Sequence, residues 1–412
     1  MGAALDSVTV AGKGIPEFAS AQGRVRSAQR GPERVAYPRG LTRAVYRRRA
    51  SGARSQQVGR PLGSVLVTAT VTDRRGSDYA GLSRQVRAAR LLDRTPWRYG
   101  LRIAATGLFF VACWWAFVAI GDSWLVLVPA GLLGLASTQV AFLGHDGGHQ
   151  QIAGTRTGNT VVGLVAGNLL TGLSVGWWVD KHNRHHANPN KEDHDPDIGE
   201  GVLAFTTAQA ANRTGLLPRA VTRNQAVLFF PLLTLEGLNL HAASVRWLCR
   251  TRGGKLGRIE LSLLFMHVLA YLGAVLCVLS PLQAVAFIAV HQAVFGLYMG
   301  CSFAPNHKGM PIIGAEQKLD YLRRQVVTSR TVRGGWFVDQ LLGGLNYQVE
   351  HHLFPNMPRS HLRKAQQLVQ AYCAQHRIPY AETGLLASYA CALRYLYALG
   401  EPLRARPTAS ET

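Results

Sequence analysis

Residues 103–120 read IAATGLFFVACWWAFVAI, an apolar run without a charged residue. As a helix this run measures about 27 Å at about 1.5 Å per residue, close to the thickness of the hydrocarbon layer of a bilayer. A second apolar run, 125–143, follows after only four residues that end in Trp124. The short connection predicts a hairpin of two membrane-spanning helices, with Trp124 at the interface.

A second pair of apolar runs, about 259–279 and 283–303, comes later in the chain. Two further stretches, 161–179 and 226–248, are interrupted by polar residues, which argues against simple spans. We expect 226–248 to lie along the cytoplasmic interface. If it crossed the membrane, the basic residues after it would lie on the opposite side from the Arg-rich N-terminus, against the tendency of basic segments to stay in the cytoplasm. We therefore predict four spans, at about 103–120, 125–143, 259–279 and 283–303.

Composition supports a membrane protein rather than a nucleic-acid-binding one. The 412 residues are 48% hydrophobic and 17% charged, with a formal net charge of +22. These values exclude a disordered chain, a coiled coil and a collagen-like fibre. Residues 1–102 carry +14 of the net charge, ahead of the first apolar run. A basic flank beside a span is typical of membrane orientation, so we place it in the cytoplasm and expect no nucleic-acid partner.

These patterns predict an all-α fold: a polytopic membrane helical bundle of four spans, with a cytoplasmic helical cap. Residues 1–75 are basic and predicted to be a disordered arm, although their Arg-rich, acid-poor composition also fits a transit peptide. The membrane domain is expected over 76–380, and a C-terminal helix and tail over 381–412. The six cysteines show no Cys-x-x-Cys spacing, so neither a disulfide framework nor a thiolate metal site is indicated.

Histidine gives the clearest chemical signal, because eight of the fourteen histidines fall into four short groups. HDGGH at 145–149 places two rings four residues apart, and HNRHH at 182–186 places three at i, i+3 and i+4. QVEHH at 348–352 repeats that spacing with Gln348 in first place, and His307 stands alone. On helices, each set shares one face. All lie near predicted cytoplasmic ends of the spans, which favours a common metal site.

The number and type of these side chains indicate the metal. Structural zinc takes four ligands and often uses cysteine, whereas this chain offers eight imidazoles and no matching thiolates. Two ions with open positions for oxygen suit non-haem iron, for which imidazole is an appropriate ligand. Of the other six histidines, His267 and His291 inside the spans are expected to bond a backbone carbonyl or a neighbouring helix, and His361 and His376 to face solvent. His194 is expected to be a loop residue rather than a ligand, and His241 is left undecided.

Three histidine boxes in this order resemble the membrane fatty acid desaturase family from about residue 100 to 375. The resemblance is carried by HDGGH at 145–149, KHNRHHANPNKEDHDPDI at 181–198, FAPNHKG at 303–309 and GGLNYQVEHHLFPNMPR at 343–359. It implies a di-iron centre, with no catalytic residue beyond the metal ligands. The implied ligands are His145, His149, His182, His185, His186, His351 and His352, with His307 as the eighth from the loop after the last span.

Gln348 stands where many members of that family have a histidine. This variant is similar to front-end desaturases, which act between an existing double bond and the carboxyl end. Some relatives place an asparagine four residues before the loop histidine, where this chain has Phe303; here Asn306 is adjacent to His307, and both Asn306 and Gln348 are candidate neighbours of the metal site. The sequence has no His-Pro-Gly-Gly motif of a fused cytochrome b5, so the resemblance implies a separate electron donor, such as ferredoxin or cytochrome b5 with a reductase.

The resemblance implies an oxidoreductase that uses O₂ and external electrons to insert a cis double bond into a fatty acyl chain, as acyl-CoA or acyl-lipid. We expect an integral membrane protein of the bacterial cell membrane, with its active site on the cytoplasmic side. Trp177 and Trp178 are candidates for the wall of an acyl tunnel, or equally for interfacial anchors. Two alternatives stay open: a hydroxylase on the same scaffold and, more distantly, a metal transporter with ligands inside its spans.

Overall fold

The computed structural model describes residues 77–251 and 254–404, and the predicted arm, residues 1–75, lies outside the described residues. This part of the chain is mostly helical, which confirms the predicted all-α class. Its two strands, β1 (Arg330–Val332) and β2 (Ala381–Thr383), form one short parallel pair. The helices are α1 (Asp78–Ala88), α2 (Pro96–Ile120), α3 (Leu127–Gly148), α4 (Arg156–Gly163), α5 (Val175–Ala187), α6 (Thr207–Ala211), α7 (Leu216–Arg223), α8 (Gln225–Leu233), α9 (Glu236–Thr251), α10 (Gly254–Val278), α11 (Pro281–His307), α12 (Tyr321–Val327), α13 (Trp336–Leu341), α14 (Gln348–Leu353), α15 (Leu362–Gln375) and α16 (Leu385–Leu399).

Within the described residues, four helices are long and apolar enough to cross a membrane: α2, α3 with its preceding turn from Trp124, α10 and α11. They correspond to the four predicted runs and confirm them. Pro96 and Pro281 stand in the first turns of α2 and α11, where a missing N–H costs nothing. Gly121, with φ of 65°, ends α2 in a conformation that favours glycine.

The outer faces of the spans are apolar and exposed in the isolated chain. Leu108 and Trp115 on α2 and Phe265 on α10 are each more than half exposed. The inner faces pack closely: the rings of Phe117 on α2 and Phe287 on α11 are fully buried, with centroids 4.8 Å apart. Exposed apolar surface of this extent marks a contact with lipid, as expected for an integral membrane protein.

Helices α9 and α11 cross at a contact that only glycine permits. A Cβ atom on Gly296 would lie 2.5 Å from the backbone N of Gly237 and 2.7 Å from the carbonyl O of Leu233. Both neighbours are backbone atoms, so neither can move aside as a flexible side chain would. The two helices must separate if residue 296 gains a side chain.

We therefore expect Gly296→Ala to lower the free energy of unfolding by about 1–3 kcal/mol, the usual cost of overpacking. The matched control is Gly273→Ala in the span α10, where a Cβ would meet nothing within 4 Å. Alanine is the better helix former, so this control should be neutral or slightly stabilising. Thermal unfolding of both variants in detergent micelles measures the difference, and equal melting temperatures would contradict the close crossing.

The two interrupted stretches form bent helix pairs rather than straight spans. α4 continues through a π-helical turn, Leu164–Leu170, and the chain then bends by 114° into α5. α8 and α9 meet at 70°, and by composition each bent pair could also count as one broken span. At the first bend, His267 donates to Leu169 O and His241 to Gly172 O, each at 2.9 Å. Imidazoles from α10 and α9 thus satisfy the carbonyls that the bend releases.

The cap packs α1, α12, α14 and α15 around a shared apolar core, in which Leu82, Leu322 and Val349 are fully buried. The C-terminal helix α16 lies against α8 and α11. Tyr389 on α16 donates to Cys301 O at 2.7 Å. In a regular helix the Cys301 carbonyl would accept from the N–H of residue 305, which proline lacks. The Tyr389 hydroxyl replaces that donor, so α11 continues through Pro305 with this carbonyl still hydrogen-bonded.

Candidate metal centre

The structure brings the eight predicted histidines together where one end of the span bundle meets the cap. All are buried except His182, which is partly buried. One correction concerns His307: we expected it in the loop after the last span, but it is the final residue of α11 because the helix continues through Pro305. The others lie on the last turn and C-cap of α3 (His145, His149), on α5 (His182, His185, His186) and on α14 (His351, His352).

The ring nitrogens form two groups. In the four-histidine group, one nitrogen each of His145, His149, His182 and His351 lies within 4.8 Å of the others. The three-histidine group contains His185, His307 and His352, with the same limit. His186 lies between the groups, with its ring centroid 4.5 Å from that of His182 and 4.2 Å from that of His352. This arrangement can hold two adjacent cations.

Five buried ring nitrogens of the eight histidines have no hydrogen-bond partner in the described part of the chain. A buried polar atom without a partner costs about 1–3 kcal/mol. Burial, together with the neighbouring imidazoles, holds the pKa of His351 and His352 well below the usual histidine value, so both are neutral near pH 7. Neutral imidazoles offer lone pairs, and the donor set therefore fits a metal. The five atoms are His145 Nε2, His149 Nε2, His186 Nδ1, His351 Nε2 and His352 Nε2.

The opposite ring nitrogens of four histidines face fixed acceptors outside the groups. Such a bond places the proton on Nδ1 and leaves the lone pair on Nε2, directed at the shared space. These are hydrogen-bond networks typical of metal-binding histidines. The bonds run from His145 to Asp146 Oδ1 (3.2 Å), from His185 to Asp195 Oδ1 (2.9 Å), from His307 to Thr328 O (3.1 Å) and from His352 to Gln325 Oε1 (3.0 Å).

Asp195 contacts His185, a contact that the sequence did not predict. The acidic run at 192–197 contains both exposed and buried carboxylates. Asp193 and His194 are exposed, whereas Asp195 is buried, and its second oxygen accepts from Asn190 N at 2.7 Å. The carboxylate therefore ties the loop to the ring of His185.

We expect Asp195→Asn to weaken metal binding by about 10–100-fold, the usual effect of removing the acceptor behind a ligand histidine. The carboxylate accepts from His185 with one oxygen and from the backbone N–H of Asn190 with the other. The asparagine amide has only one oxygen, so it can replace only one of these two acceptors. Asp193→Asn, on the exposed part of the same run, is the matched control and should leave affinity unchanged. Titration of the purified protein against a competing chelator measures both, and equal affinities would contradict this role.

A second unpredicted partner is Arg359, from the stretch that follows the third histidine box. Its guanidinium lies 2.6 Å from Asp146 Oδ2, and both side chains are almost completely buried. Arg359 also donates to Phe142 O at 3.1 Å. The ion pair holds the carboxylate that accepts from His145, so it connects the loop after α14 with α3.

Asn306 and Gln348, our candidate neighbours of the metal site, contact each other. Asn306 Nδ2 donates to Gln348 Oε1 at 3.1 Å, and Gln348 Nε2 lies 2.9 Å from His307 Nε2. Both side chains are buried. The pair therefore borders the three-histidine group.

The two tryptophans differ in their contacts. Trp178 stacks on His182 with centroids 4.4 Å apart and also borders His145. A side chain at Gly148 would overlap the Trp178 ring, so this glycine makes room for the indole. The ammonium group of Lys181 lies 6.0 Å from the ring centre of Trp177. Trp178 thus closes one side of the four-histidine group.

The family model described as fatty acid desaturase matches residues 122–384. Over 317 residues the chain is 28% identical to a Delta(8)-fatty-acid desaturase of Helianthus annuus, covering 74% of this chain and 69% of that protein. It is 30% identical over 293 residues to a Delta(6)-fatty-acid desaturase of Caenorhabditis elegans, covering 68% and 66%. It is 31% identical over 286 residues to an acyl-lipid (9-3)-desaturase of Physcomitrium patens, covering 67% of this chain and 54% of that protein.

The matched family region contains both histidine groups and three of the four spans in full. Each of the three relatives is named a desaturase, which favours that activity over the hydroxylase and transporter alternatives. The chain therefore belongs to the membrane fatty acid desaturase family and is an oxidoreductase.

Proposed function

We propose that this desaturase inserts a cis double bond into a fatty acyl chain by means of two iron ions, O₂ and two external electrons. The observation that carries the proposal is the pair of histidine groups with His186 between them, in which five buried ring nitrogens lack a hydrogen-bond partner among the described residues. In one turnover a CH₂–CH₂ unit loses two hydrogens and becomes CH=CH. Those hydrogens, with two electrons and two protons, reduce O₂ to two molecules of water.

We assign one ion to the four-histidine group and the other to the three-histidine group, with His186 between them. Imidazole donors without cysteine support iron over structural zinc. No amino-acid side chain can remove hydrogen from an unactivated methylene, so bound iron supplies the oxidising power with O₂. The protein supplies position, burial and fixed ring orientation.

The chain's own residues position the substrate beside the histidines. His145 and His149 lie at the end of the span α3, and His307 lies at the end of the span α11, so both groups are next to the membrane-spanning helices. Trp178 borders the four-histidine group, and we propose it and Trp177 as part of the wall that guides the chain. Accurate placement matters because an error of about 1 Å can cost about a hundredfold in rate.

Gln348 and the named relatives support front-end regiochemistry. The sunflower and nematode proteins are named Delta(8)- and Delta(6)-desaturases. We propose that this chain likewise acts between an existing double bond and the carboxyl end. The acyl carrier is CoA or a lipid, and the moss relative named acyl-lipid desaturase supports the second.

Electrons come from a separate protein, which we propose docks on the cap. Exposed basic residues lie on α1 (Arg84, Arg87) and α15 (Arg363, Lys364). A basic surface attracts an acidic carrier such as ferredoxin or cytochrome b5. Basic segments also favour the cytoplasmic side for the cap. The bacterial cell membrane stays a prediction, and the relatives reported above are eukaryotic.

The test is to map double bonds in fatty acids by gas chromatography and mass spectrometry. Aerobic cells would express the chain, or its His185→Ala variant, together with a ferredoxin and its reductase. We expect a new unsaturated acid with the wild-type chain alone. Hydroxylated acids would favour the hydroxylase alternative. If the cells make no new product and the chain purified from them contains no iron, the proposal is overturned.

A further inference from the structure

Glu260 is a buried residue of the span α10 whose carboxyl group contacts a different helix. Its Oε2 accepts from Ser174 Oγ at 2.6 Å and from Gly176 N at 3.0 Å. Ser174 is the N-cap residue of α5, the helix that carries three of the eight histidines. A carboxyl group is costly within a span and often has a function there. Glu260 therefore connects the span α10 to the first turn of α5.

The first three N–H groups of α5 all depend on Glu260. Such groups have no partner inside their own helix and need an acceptor from elsewhere. Gly176 N donates directly to Glu260, and Trp177 N donates at 3.1 Å to the N-cap hydroxyl that Glu260 holds. Val175 N donates to Asn168 Oδ1 at 3.2 Å, and Asn168 Nδ2 in turn donates to Glu260 at 3.3 Å. One carboxyl group thus organises the whole first turn.

The contact is so close that it requires glycine on α5. A Cβ atom at Gly176 would lie 2.6 Å from Glu260 Oε1 and 2.9 Å from the ring of Trp247. The carboxyl group therefore lies directly against the backbone of α5. A change in the length of the side chain at 260 must shift the start of that helix or release it.

α5 transmits a shift at its start to both histidine groups. His182 belongs to the four-histidine group and His185 to the three-histidine group, with His186 between them. At about 1.5 Å per residue, these three residues lie roughly 9 to 15 Å along the helix from Gly176. Trp178, which stacks on His182, lies on the same helix. A hydrogen-bonded helix moves as a unit, so a displacement at its first turn reaches histidines of both groups.

We infer that Glu260 is a positioning residue, which fixes the start of α5 against α10 and so places the histidines of α5 in both groups. It acts through the helix and binds no metal itself. The inference rests on the proposed function, because it takes the two groups as the metal centre. The reach of the side chain then matters more than its charge. Glu260→Gln keeps an oxygen acceptor at the same reach, whereas Glu260→Asp is one methylene shorter.

The test is the visible absorption spectrum of Co²⁺ bound to the purified apoprotein in detergent, together with its affinity against a competing chelator. At full occupancy the spectrum reports the arrangement of ligands around the ion and does not depend on how readily the protein unfolds. We expect Glu260→Asp to change the spectrum and to weaken the binding of both ions by about tenfold, the lower end of the effect of residues behind metal ligands. Glu260→Gln should keep the wild-type spectrum.

Asp122→Ala is the matched control, because it also removes a carboxyl acceptor from a helix N-terminus. Asp122 Oδ1 accepts from Ser280 N at 2.7 Å, at the opposite end of α11 from His307. This variant should melt at a lower temperature with an unchanged spectrum and affinity. Gly176→Ala crowds the same contact from the side of α5. It should reproduce the change of Glu260→Asp, and it tests the contact if that variant does not fold.

A wild-type spectrum and wild-type affinities in Glu260→Asp and Gly176→Ala would overturn the inference and leave Glu260 a purely structural residue. A changed spectrum in Glu260→Gln beside an unchanged one in Glu260→Asp would also overturn it, since charge rather than reach would then matter. A wild-type chain that binds fewer than two Co²⁺ ions would overturn the two-ion proposal and the inference with it. The two failures are distinguishable, because only the second appears in the wild-type chain.

Discussion

Replacing His185 by Ala is expected to reduce desaturation more than about a hundredfold and to remove one of two bound metal ions, because a ligand contributes more than the groups behind it. His185 is almost completely buried, and its Nε2 lies 3.3 Å from His307 Nε2. Without it, the three-histidine group keeps two imidazoles, too few to hold an ion in competition with water. Iron content by elemental analysis and product by mass spectrometry measure the two effects separately.

His194→Ala is the matched control for this prediction. His194 belongs to the same loop region, is exposed, and hydrogen-bonds through Nδ1 with Glu192 O at 2.9 Å. Its removal should change neither iron content nor turnover. Full activity in His185→Ala, or equal losses in the two variants, would contradict the assignment of the three-histidine group.

Replacing Arg359 by Met is expected to lower the free energy of unfolding by about 3–5 kcal/mol, the usual cost of breaking a buried ion pair. The change leaves the Asp146 carboxylate buried without its positive partner. It also releases the acceptor that orients His145, so metal affinity should fall as well. Unfolding in mixed micelles, followed by circular dichroism, measures stability, and a chelator titration measures affinity.

Two further variants distinguish the ion pair from a general effect of losing arginine. Asp146→Asn combined with Arg359→Met removes both buried charges and should recover much of the stability. Arg90→Met breaks an ion pair with Asp93 in which the side chains are 83% and 50% exposed, so it should cost less than about 1 kcal/mol. Equal losses in Arg359→Met and Arg90→Met would contradict the argument.

The spans and the histidines were readable from the sequence because both signals are local. A membrane helix needs about twenty apolar residues in succession, and no tertiary contact is required to see them. Histidines at i, i+3 and i+4 likewise share a helix face wherever that helix lies. What spacing could not show is the division into two groups, since His182 and His185 lie one turn apart on α5 yet belong to different groups.

The residues behind the histidines depend on contacts between distant parts of the chain. Gln325 accepts from His352 and donates to His186 O, but within YLRRQVV nothing distinguishes it from a surface glutamine. The end of α11 was missed for a similar reason. Pro305 usually indicates that a helix stops, and only Tyr389, more than eighty residues later, shows why this helix continues.

Each histidine group draws on both halves of the chain, which has a consequence for biosynthesis. The four-histidine group begins at His145 and is complete only with His351, and the other requires His352. At about 5–20 residues per second, roughly 10 to 40 s of translation separate the first of these histidines from the last. Four spans therefore enter the membrane before either ion can be fully bound. If the two groups hold iron as proposed, loading is completed only after insertion, and iron-starved cells should accumulate an inserted but inactive precursor.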